Sequence, residues 1–309
     1  MIKRVLITGG AGFIGSHLVR RVLDDGCEVV VLDDLSSGKR ENVPEPARLV
    51  IGTVLDRERL AEAMSGVDAC VHLAAIASVA KCSDDLISSH QVNLTGWLNV
   101  VDVARRCANP PRLVYASSAA VYGANQDVPL DERATASPLS AYGADKYACE
   151  LHARAAMSVY GLPSRGLRFF NVYGPGQDPS SPYSGVISRF ASRLLGGRAI
   201  EVHGSGAQSR DFVYVADIVE ALVRAASTSA GGASVLNVCT GAEVTVLELA
   251  KLMSEVFDQE ARIEFSAPRP GDIPRSLGDP RNLQRELGFS PSWPLGVGLR
   301  RLRDSLTTS

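Results

Sequence analysis

The stretch TGGAGFIG, Thr8–Gly15, decides how the N-terminal half of the chain is interpreted. It follows the apolar run RVLI and opens a pattern, SHLVRRVLDD, whose apolar residues recur at helical spacing. Glycine at Gly9, Gly12 and Gly15 allows a tight turn, close approach of a diphosphate to the backbone, and close packing of helix against strand. The helix N-terminus adds free N–H groups and a partial positive charge. The stretch therefore predicts a phosphate-binding turn, although the glycines alone also fit a plain strand-to-helix turn.

The same alternation continues through the first half of the chain. Strand-sized runs EVVVLDD, ARLVIG, ACVHLAA, RLVYASS and SRGLRFF alternate with helical patterns, including a long helix around Leu86–Cys107. Buried strands joined by helical crossovers form parallel sheets with right-handed connections. The predicted fold class is α/β, a Rossmann-type doubly wound parallel sheet with a smaller C-terminal α/β substrate-binding lobe.

The character of the sequence changes after Phe170. NVYGPGQDPSSPYSG holds three prolines and three glycines, which no regular element accommodates. Later segments again suggest strands and helices. We predict one domain of residues 1–175 plus about 211–240, and a second lobe of about 176–210 plus 241–309.

Composition excludes several classes of protein. The chain has 309 residues, 45% hydrophobic and 21% charged, with a net charge of −2, so nothing indicates a nucleic-acid or membrane partner. Its apolar runs are far shorter than the ~20 residues of a membrane span. The apolar segment within MIKRVLITGG is also too short for the apolar region of a secretory leader, and it ends in a glycine turn. Six cysteines lack metal-ligand spacing, as do the histidines, so we expect reduced thiols, no metal and a cytoplasmic protein.

Acidic residues follow two of the predicted strands. Asp33 ends the second strand about twenty residues after the glycines, where a carboxylate binds adenosine ribose hydroxyls and repels a 2′-phosphate. This favours NAD over NADP, and favours Asp33 over its neighbour Asp34. Asp56 ends the third strand, where it either meets the adenine amino group or caps the following helix.

Tyr142 and Lys146 in AYGADK stand four residues apart, on one face of a predicted helix. A nearby ammonium lowers the pKa of a phenol and makes it a usable base near neutral pH. Ser118, in SSAAVYG, ends a strand at the same edge of the sheet as the glycines, where it can hold a reacting hydroxyl. The three residues predict a proton-transfer site beside the cofactor.

Taken together, these motifs resemble the extended short-chain dehydrogenases/reductases, among them the nucleotide-sugar epimerases and dehydratases, and most closely the UDP-hexose 4-epimerases. The resemblance extends over nearly the whole chain, through TGGAGFIG, LDDLSSG, HLAA, VNLTG, SSAAVYG, YGADK, RFFNVYGPGQDP, SRDFVYVAD and RPGD in family order.

The resemblance implies specific roles. Tyr142 would be the acid–base residue, Lys146 would tune it and bind the nicotinamide ribose, and Ser118 would bind the sugar 4-hydroxyl. Residues implied in NAD binding are Gly9, Gly12, Phe13, Ile14, Gly15, Asp33, Asp56, Leu73, Ala74, Ala75, Asn93, Ser117, Tyr142 and Lys146. Residues implied in UDP-sugar binding are Ser78, Ser118, Asn171, Val186, Arg210, Arg269, Asp272 and Ser276.

The resemblance also implies an activity, 4-epimerisation of a UDP-hexose through a 4-keto sugar. Dehydratases carry Asp-Glu directly after the active-site Ser or Thr, and decarboxylases keep a glutamate there; Ala119 and Ala120 argue against both. Ser276 falls where a bulky tyrosine excludes 2-acetamido sugars, and the segment Gln177–Phe190 resembles enzymes that accept them. A homodimer formed through two helices is expected. A uronic acid epimerase, a reductase, a decarboxylase and a non-catalytic NAD-binding regulator stay open as alternatives.

Overall fold

A computed structural model describes residues 2–177, 185–260, 262–269 and 271–307. The strands are β1 (Arg4–Thr8), β2 (Glu28–Asp33), β3 (Arg48–Ile51), β4 (Ala69–His72), β5 (Arg112–Ser118), β6 (Ser164–Phe169), β7 (Asn171–Tyr173), β8 (Ile200–His203), β9 (Ser209–Arg210), β10 (Phe212–Tyr214), β11 (Ala233–Val238), β12 (Val244–Thr245), β13 (Ile263–Ser266) and β14 (Arg275–Ser276). The helices are α1 (Phe13–Asp24), α2 (Arg57–Met64), α3 (Val79–Asp84), α4 (Leu86–His90), α5 (Gly96–Ala104), α6 (Ala141–Tyr160), α7 (Val186–Leu195), α8 (Val215–Ser227), α9 (Val246–Val256), α10 (Arg281–Leu287) and α11 (Leu295–Thr307).

Seven strands form one parallel sheet in the order β11, β6, β5, β4, β1, β2, β3. The strand order reverses between β1 and β4, and both pair with their neighbours in parallel register. In doubly wound sheets, such a reversal point lies where ligands bind, outside the carboxyl ends of the strands. The predicted fold class is confirmed, and the turn after β1 lies at this reversal point.

The chain packs as two compact units. The first comprises Met1–Val121, Ser140–Arg168 and Val219–Leu236; the second comprises Tyr122–Leu139, Phe169–Ile218 and Asn237–Ser309. Packing therefore groups residues 122–139, 169–175, 211–218 and 237–240 with the second unit, whereas the predicted first domain included them. The reason is local, since β7 pairs with β10 in a separate sheet. The predicted domain boundaries, which concern ligand binding, stay a prediction.

An aromatic stack lies in the core of the first unit. The His72 ring stacks on Trp97 at 5.7 Å between centroids, and Trp97 lies 4.4 Å from Tyr115. Trp97 is fully buried, and its indole N–H donates to the Cys149 carbonyl. His72, at the end of β4, is therefore held in place by its stacking on Trp97.

The predicted long helix around Leu86–Cys107 is interrupted by a π-helical turn. Gln91–Thr95 takes this wider form between α4 and α5, and no spacing in the sequence predicted it. Asn93 lies in this turn and is 1% exposed. Single π-helical turns inside α-helices occur frequently at functional sites.

The second unit combines short sheets with helices. β9 pairs with β12 and β14, and β8 pairs with β13. Thr245 and Glu248 form a capping box at the start of α9, satisfying the first free N–H groups of that helix. Trp293 packs against Tyr214 at 4.6 Å between ring centroids. Among the helices of the described residues, none combines the length and apolar content needed to cross a membrane.

Candidate active site

The turn after β1 requires glycine at two positions. Gly9 has φ +72°, and a Cβ there would lie 2.6 Å from the Ala74 nitrogen. A Cβ on Gly15 would lie 2.1 Å from the Gly9 carbonyl oxygen, because α1 packs closely against the turn. Gly12 caps α1 without a side-chain acceptor, so the first N–H groups of the helix remain available to an anion. This geometry fits the diphosphate of a dinucleotide.

Asp33 connects the end of β2 to the glycine turn. Its Oδ2 accepts a hydrogen bond from the Ala11 N–H at 2.9 Å, and its Oδ1 accepts one from the Leu35 N–H at 2.9 Å. The residue is 7% exposed, and burial raises the pKa of its carboxyl. Asp34 is exposed, and its Oδ1 accepts a local hydrogen bond from the Ser36 N–H at 2.9 Å. The structure thus places Asp33, rather than Asp34, against the turn.

Asp56 performs the alternative role considered for it. Its Oδ1 accepts from the N–H groups of Glu58 and Arg59, capping α2, and its Oδ2 forms an ion pair with Arg59 at 3.1 Å. Asp56 is therefore the N-cap of α2, as one of its two predicted roles required. Contact with an adenine amino group stays a prediction.

The segment after β4 lies beside the glycine turn. The Leu73 N–H donates to the Thr8 carbonyl and the Ala74 N–H donates to the Thr8 hydroxyl. Asn93 fixes the segment from below, with its Oδ1 2.8 Å from the Ile76 nitrogen. Ala74 lies next to Gly9, and both Ala74 and Ala75 are half-buried. Asn93 thus holds the backbone of the segment after β4 at Ile76.

Two further side chains of this region have internal partners. The His72 Nδ1 lies 2.7 Å from the Thr8 hydroxyl, and burial lowers its pKa to about 3, so the ring is neutral. This agrees with a structural role. The Ser78 hydroxyl caps α3 by accepting from the Lys81 N–H, and its substrate contact stays a prediction.

Tyr142 and Lys146 lie on the first two turns of α6. The helix begins where Ser140 accepts a bond from the Gly143 N–H. The Lys146 Nζ lies 5.8 Å from the Tyr142 ring centroid and donates to the Ala116 carbonyl at 2.9 Å. Lys146 is only 3% exposed. A buried, oriented ammonium therefore stands beside the phenol.

Ser118 and Ser117 end β5 but differ in their surroundings. The half-buried Ser118 hydroxyl accepts from the Ala120 N–H at 3.1 Å, within the short 3₁₀ helix Ala119–Tyr122. The Ser117 hydroxyl, by contrast, donates to the Glu150 Oε1 at 2.6 Å in the interior. The cofactor role of Ser117 stays a prediction, but its side chain is already committed to Glu150.

Glu150 was missed in the sequence, as was its partner Arg168. Arg168 donates to both carboxylate oxygens of Glu150, and the pair is almost completely buried. One signal was present: Glu150 follows Lys146 by four residues and so lies on the same helical face.

Six residues predicted to bind UDP-sugar lie in the second unit, and three of them, Asn171, Arg210 and Ser276, lie on its short strands. Arg210 forms an ion pair with Asp272. Burial lowers the pKa of its guanidinium, and the pairing with Asp272 opposes that effect. Ser276 pairs with Arg210 in the sheet and is 5% exposed, so it is a buried strand residue and not an exposed loop serine.

Three further predicted residues complete this set. The Asn171 amide donates to the Asp211 carbonyl at 3.3 Å, Val186 begins α7, and Arg269 is exposed. Residues 178–184, within the predicted specificity segment Gln177–Phe190, lie outside the described residues. Asp211 was not predicted: it is fully buried and accepts from Thr240 and Gly241, holding the loop after β11.

Comparison with known proteins tests the resemblance. The model of the NAD dependent epimerase/dehydratase family matches residues 5–239. The chain belongs to this family. A UDP-glucose 4-epimerase of Mycolicibacterium smegmatis is 38% identical over 307 residues, covering 96% of each chain.

Two solved structures are similar over almost the whole chain. A UDP-N-acetylglucosamine 4-epimerase of Methanobrevibacter ruminantium, in complex with UDP-N-acetylmuramic acid, has a TM-score of 0.94 at 35% identity, covering 99% of each chain. A UDP-glucose 4-epimerase of Thermus thermophilus, in complex with NAD, has a TM-score of 0.91 at 36% identity, covering 98% of this chain and 99% of the other.

These findings fix the class of the protein. It is an NAD-dependent enzyme of the isomerase type, and NAD is its cofactor. The residues fit that cofactor, since Gly9 and Gly15 form a cradle that any Cβ would fill and Asp33 closes the turn. Within the described ranges, no group of three or more His, Cys, Asp or Glu side chains is arranged to hold a metal ion.

Proposed function

We propose that the protein is a UDP-hexose 4-epimerase that retains NAD through the reaction and converts UDP-Glc to UDP-Gal, and UDP-GlcNAc to UDP-GalNAc, in both directions. The observation that carries the proposal is the buried Lys146 ammonium beside the Tyr142 phenol. A module that only binds NAD has no need for an ammonium desolvated next to a phenol.

The proton chemistry is assigned to three side chains. The Tyr142 Oη takes the proton of the sugar 4-hydroxyl, and the Lys146 charge favours the phenolate that can do so. The Ser118 Oγ holds the same hydroxyl in place. NAD, which Gly9, Gly15 and Asp33 would hold, would supply the hydride chemistry: acceptance of the C4 hydride and its return to the other face of the 4-keto sugar. Tyr142 then gives the proton back to the 4-oxygen, so the reaction has no net redox change.

The nucleotide is assigned to the second unit. Arg210 and Arg269 offer planar, permanently charged donors for the diphosphate, and Asp272 offers acceptors for the uridine ribose. Arg210 is preorganised, because its side chain is 14% exposed and held by Asp272. Asn171 and Val186 belong to the same proposed site.

Substrate breadth is assigned to Ser276. A small side chain there leaves room that a tyrosine would fill, which favours acceptance of 2-acetamido sugars. Dehydration and decarboxylation are disfavoured because Ala119 and Ala120, directly after Ser118, offer no second acid.

We also propose a cytoplasmic homodimer. Leu86 and Ile87 on α4, with Leu151, Val159 and Tyr160 on α6, are large apolar residues that the first unit leaves exposed. A second copy would cover them. All six cysteines are free, as expected in a reducing compartment.

The test is incubation of the purified protein with each UDP-sugar without added NAD. We expect interconversion in wild type and a loss of about 100-fold or more in Tyr142→Phe, since proton transfer typically contributes 10²–10⁴-fold. Tyr147→Phe, five residues along the same helix, serves as the matched control. Consumption of free coenzyme would instead indicate a reductase, release of CO₂ from UDP-glucuronate a decarboxylase, and absence of product a regulator.

A further inference from the structure

Arg168 and Glu150 form a buried ion pair directly behind the proposed catalytic residues. The Arg168 Nε lies 2.8 Å from the Glu150 Oε1 and its Nη2 lies 2.6 Å from the Oε2. The two side chains are 5% and 2% exposed. Burying such a pair costs about as much desolvation energy as the attraction returns, so stability alone does not account for it.

The position of Glu150 suggests what the pair does. Lys146 and Glu150 stand on adjacent turns of one face of α6, and both are buried. Opposite charges at this spacing attract each other, and burial strengthens the attraction. The Lys146 Nζ nevertheless donates to Ala116 and faces the Tyr142 ring. Arg168 already occupies both oxygens of Glu150.

We propose that Arg168 is a positioning residue: by engaging Glu150, it leaves the Lys146 ammonium directed at Tyr142. The proposal rests on the proposed function, in which Lys146 favours the Tyr142 phenolate. Ser117 completes the arrangement, since its hydroxyl donates to the Glu150 Oε1 and fixes that carboxylate against β5.

The other titratable groups around this face do not replace Arg168. Burial keeps several of them uncharged near neutral pH, because it lowers the pKa of His72 to about 3 and raises the pKa values of Cys82, Cys149 and Tyr115. Asp145 pairs with His90 on α4 at 2.8 Å. Arg154, one turn beyond Glu150, is exposed. Arg168 on β6 is thus the buried guanidinium that faces Glu150.

Without Arg168, Glu150 would attract the Lys146 ammonium away from the phenol. The Lys146 charge would then favour the Tyr142 phenolate less, because Glu150 neutralises it. The acidic limb of the pH profile of kcat/KM would therefore move to higher pH.

Three variants test this. Arg168→Met removes the cation, Arg168→Lys keeps the charge, and Arg168→Met with Glu150→Gln also removes the carboxylate while keeping an acceptor for Ser117. Two readouts apply: the pH profile of kcat/KM, and the ultraviolet absorbance of the Tyr142 phenolate during pH titration, taken as the difference from Tyr142→Phe in the same background.

Arg168→Met is expected to move both readouts up by about 1 pH unit or more, whereas Arg168→Lys and the double variant stay close to wild type. A double variant shifted as far as Arg168→Met, or an unshifted Arg168→Met, would overturn the proposal. Should Arg168→Met not fold, Arg168→Gln replaces it with a smaller upward shift expected. If wild type converts no UDP-sugar, the proposed function fails, while the phenolate titration still tests the role of Arg168.

Discussion

Replacing Asp33 by asparagine tests how the cofactor turn is held. The substitution keeps the size of the side chain but exchanges one carboxylate oxygen for an NH₂ group. Two backbone N–H groups, those of Ala11 and Leu35, now donate to the two oxygens. An asparagine can accept from only one of them, so the other faces an NH₂ group.

The magnitude follows from these two bonds. A hydrogen bond to a charged group contributes about 1.5–3 kcal/mol. Loss of one is partly offset, because burial disfavours the ionised carboxyl of Asp33. We expect the free energy of unfolding to fall by about 2 kcal/mol. Because Asp33 is the predicted acceptor for the adenosine ribose, loss of its charge should weaken NAD binding about 10- to 100-fold, at about 1.4 kcal/mol per tenfold. It should also reduce the preference for NAD over NADP.

The assays are urea unfolding of the protein stripped of NAD, and titration of that protein with NAD and NADP. Asp34→Asn is the matched control, because Asp34 is an exposed neighbour. Its unfolding free energy should stay within about 0.5 kcal/mol of wild type. Weaker NAD binding in Asp34→Asn, with wild-type stability and affinity in Asp33→Asn, would refute this role of Asp33.

Three other predictions concern separate features. The carboxylate of Glu243 accepts hydrogen bonds from Arg275, which lowers the pKa of Glu243 from 4.5 to about 2. The ionised carboxylate therefore stabilises the fold above pH 4.5, and this stabilisation is lost as the pH falls toward 2. Glu243→Gln should make the unfolding free energy depend less on pH across that range. Ser276→Tyr should lower turnover of UDP-GlcNAc relative to UDP-Glc about tenfold or more, while Ser276→Ala keeps the ratio; an equal ratio in the tyrosine variant counts against a size filter. Leu151→Asp should elute as a monomer in gel filtration. Leu195→Asp should stay dimeric, because Leu195 lies in the second unit although it is 47% exposed and Leu151 is 46% exposed; a dimeric Leu151→Asp places the interface elsewhere.

The sheet and the glycine turn were predictable because their signals are local. β-branched runs, helical spacing and glycines at a strand end each act within about ten residues. The proximity of Tyr142 and Lys146 was predictable for the same reason, since helix geometry alone brings them together.

What could not be predicted depends on contacts distant in sequence. The partnership of Glu150 and Arg168 joins residues on α6 and β6, and the π-helical turn serves Asn93, whose partner Ile76 lies seventeen residues earlier. Likewise, the spacing of Asp56 fitted both a helix cap and an adenine contact. Only the folded backbone shows that its Oδ1 meets the first N–H groups of α2.

The two tryptophans of the chain fall one in each packing unit, Trp97 in the first and Trp293 in the second. Their fluorescence therefore gives each unit its own optical signal. Replacing either by phenylalanine leaves a single tryptophan. Denaturation followed by selectively excited tryptophan fluorescence in the two variants then reveals whether the units unfold together or in sequence. The rings of His72 and Tyr115 beside Trp97 make its fluorescence sensitive to packing at the end of β4.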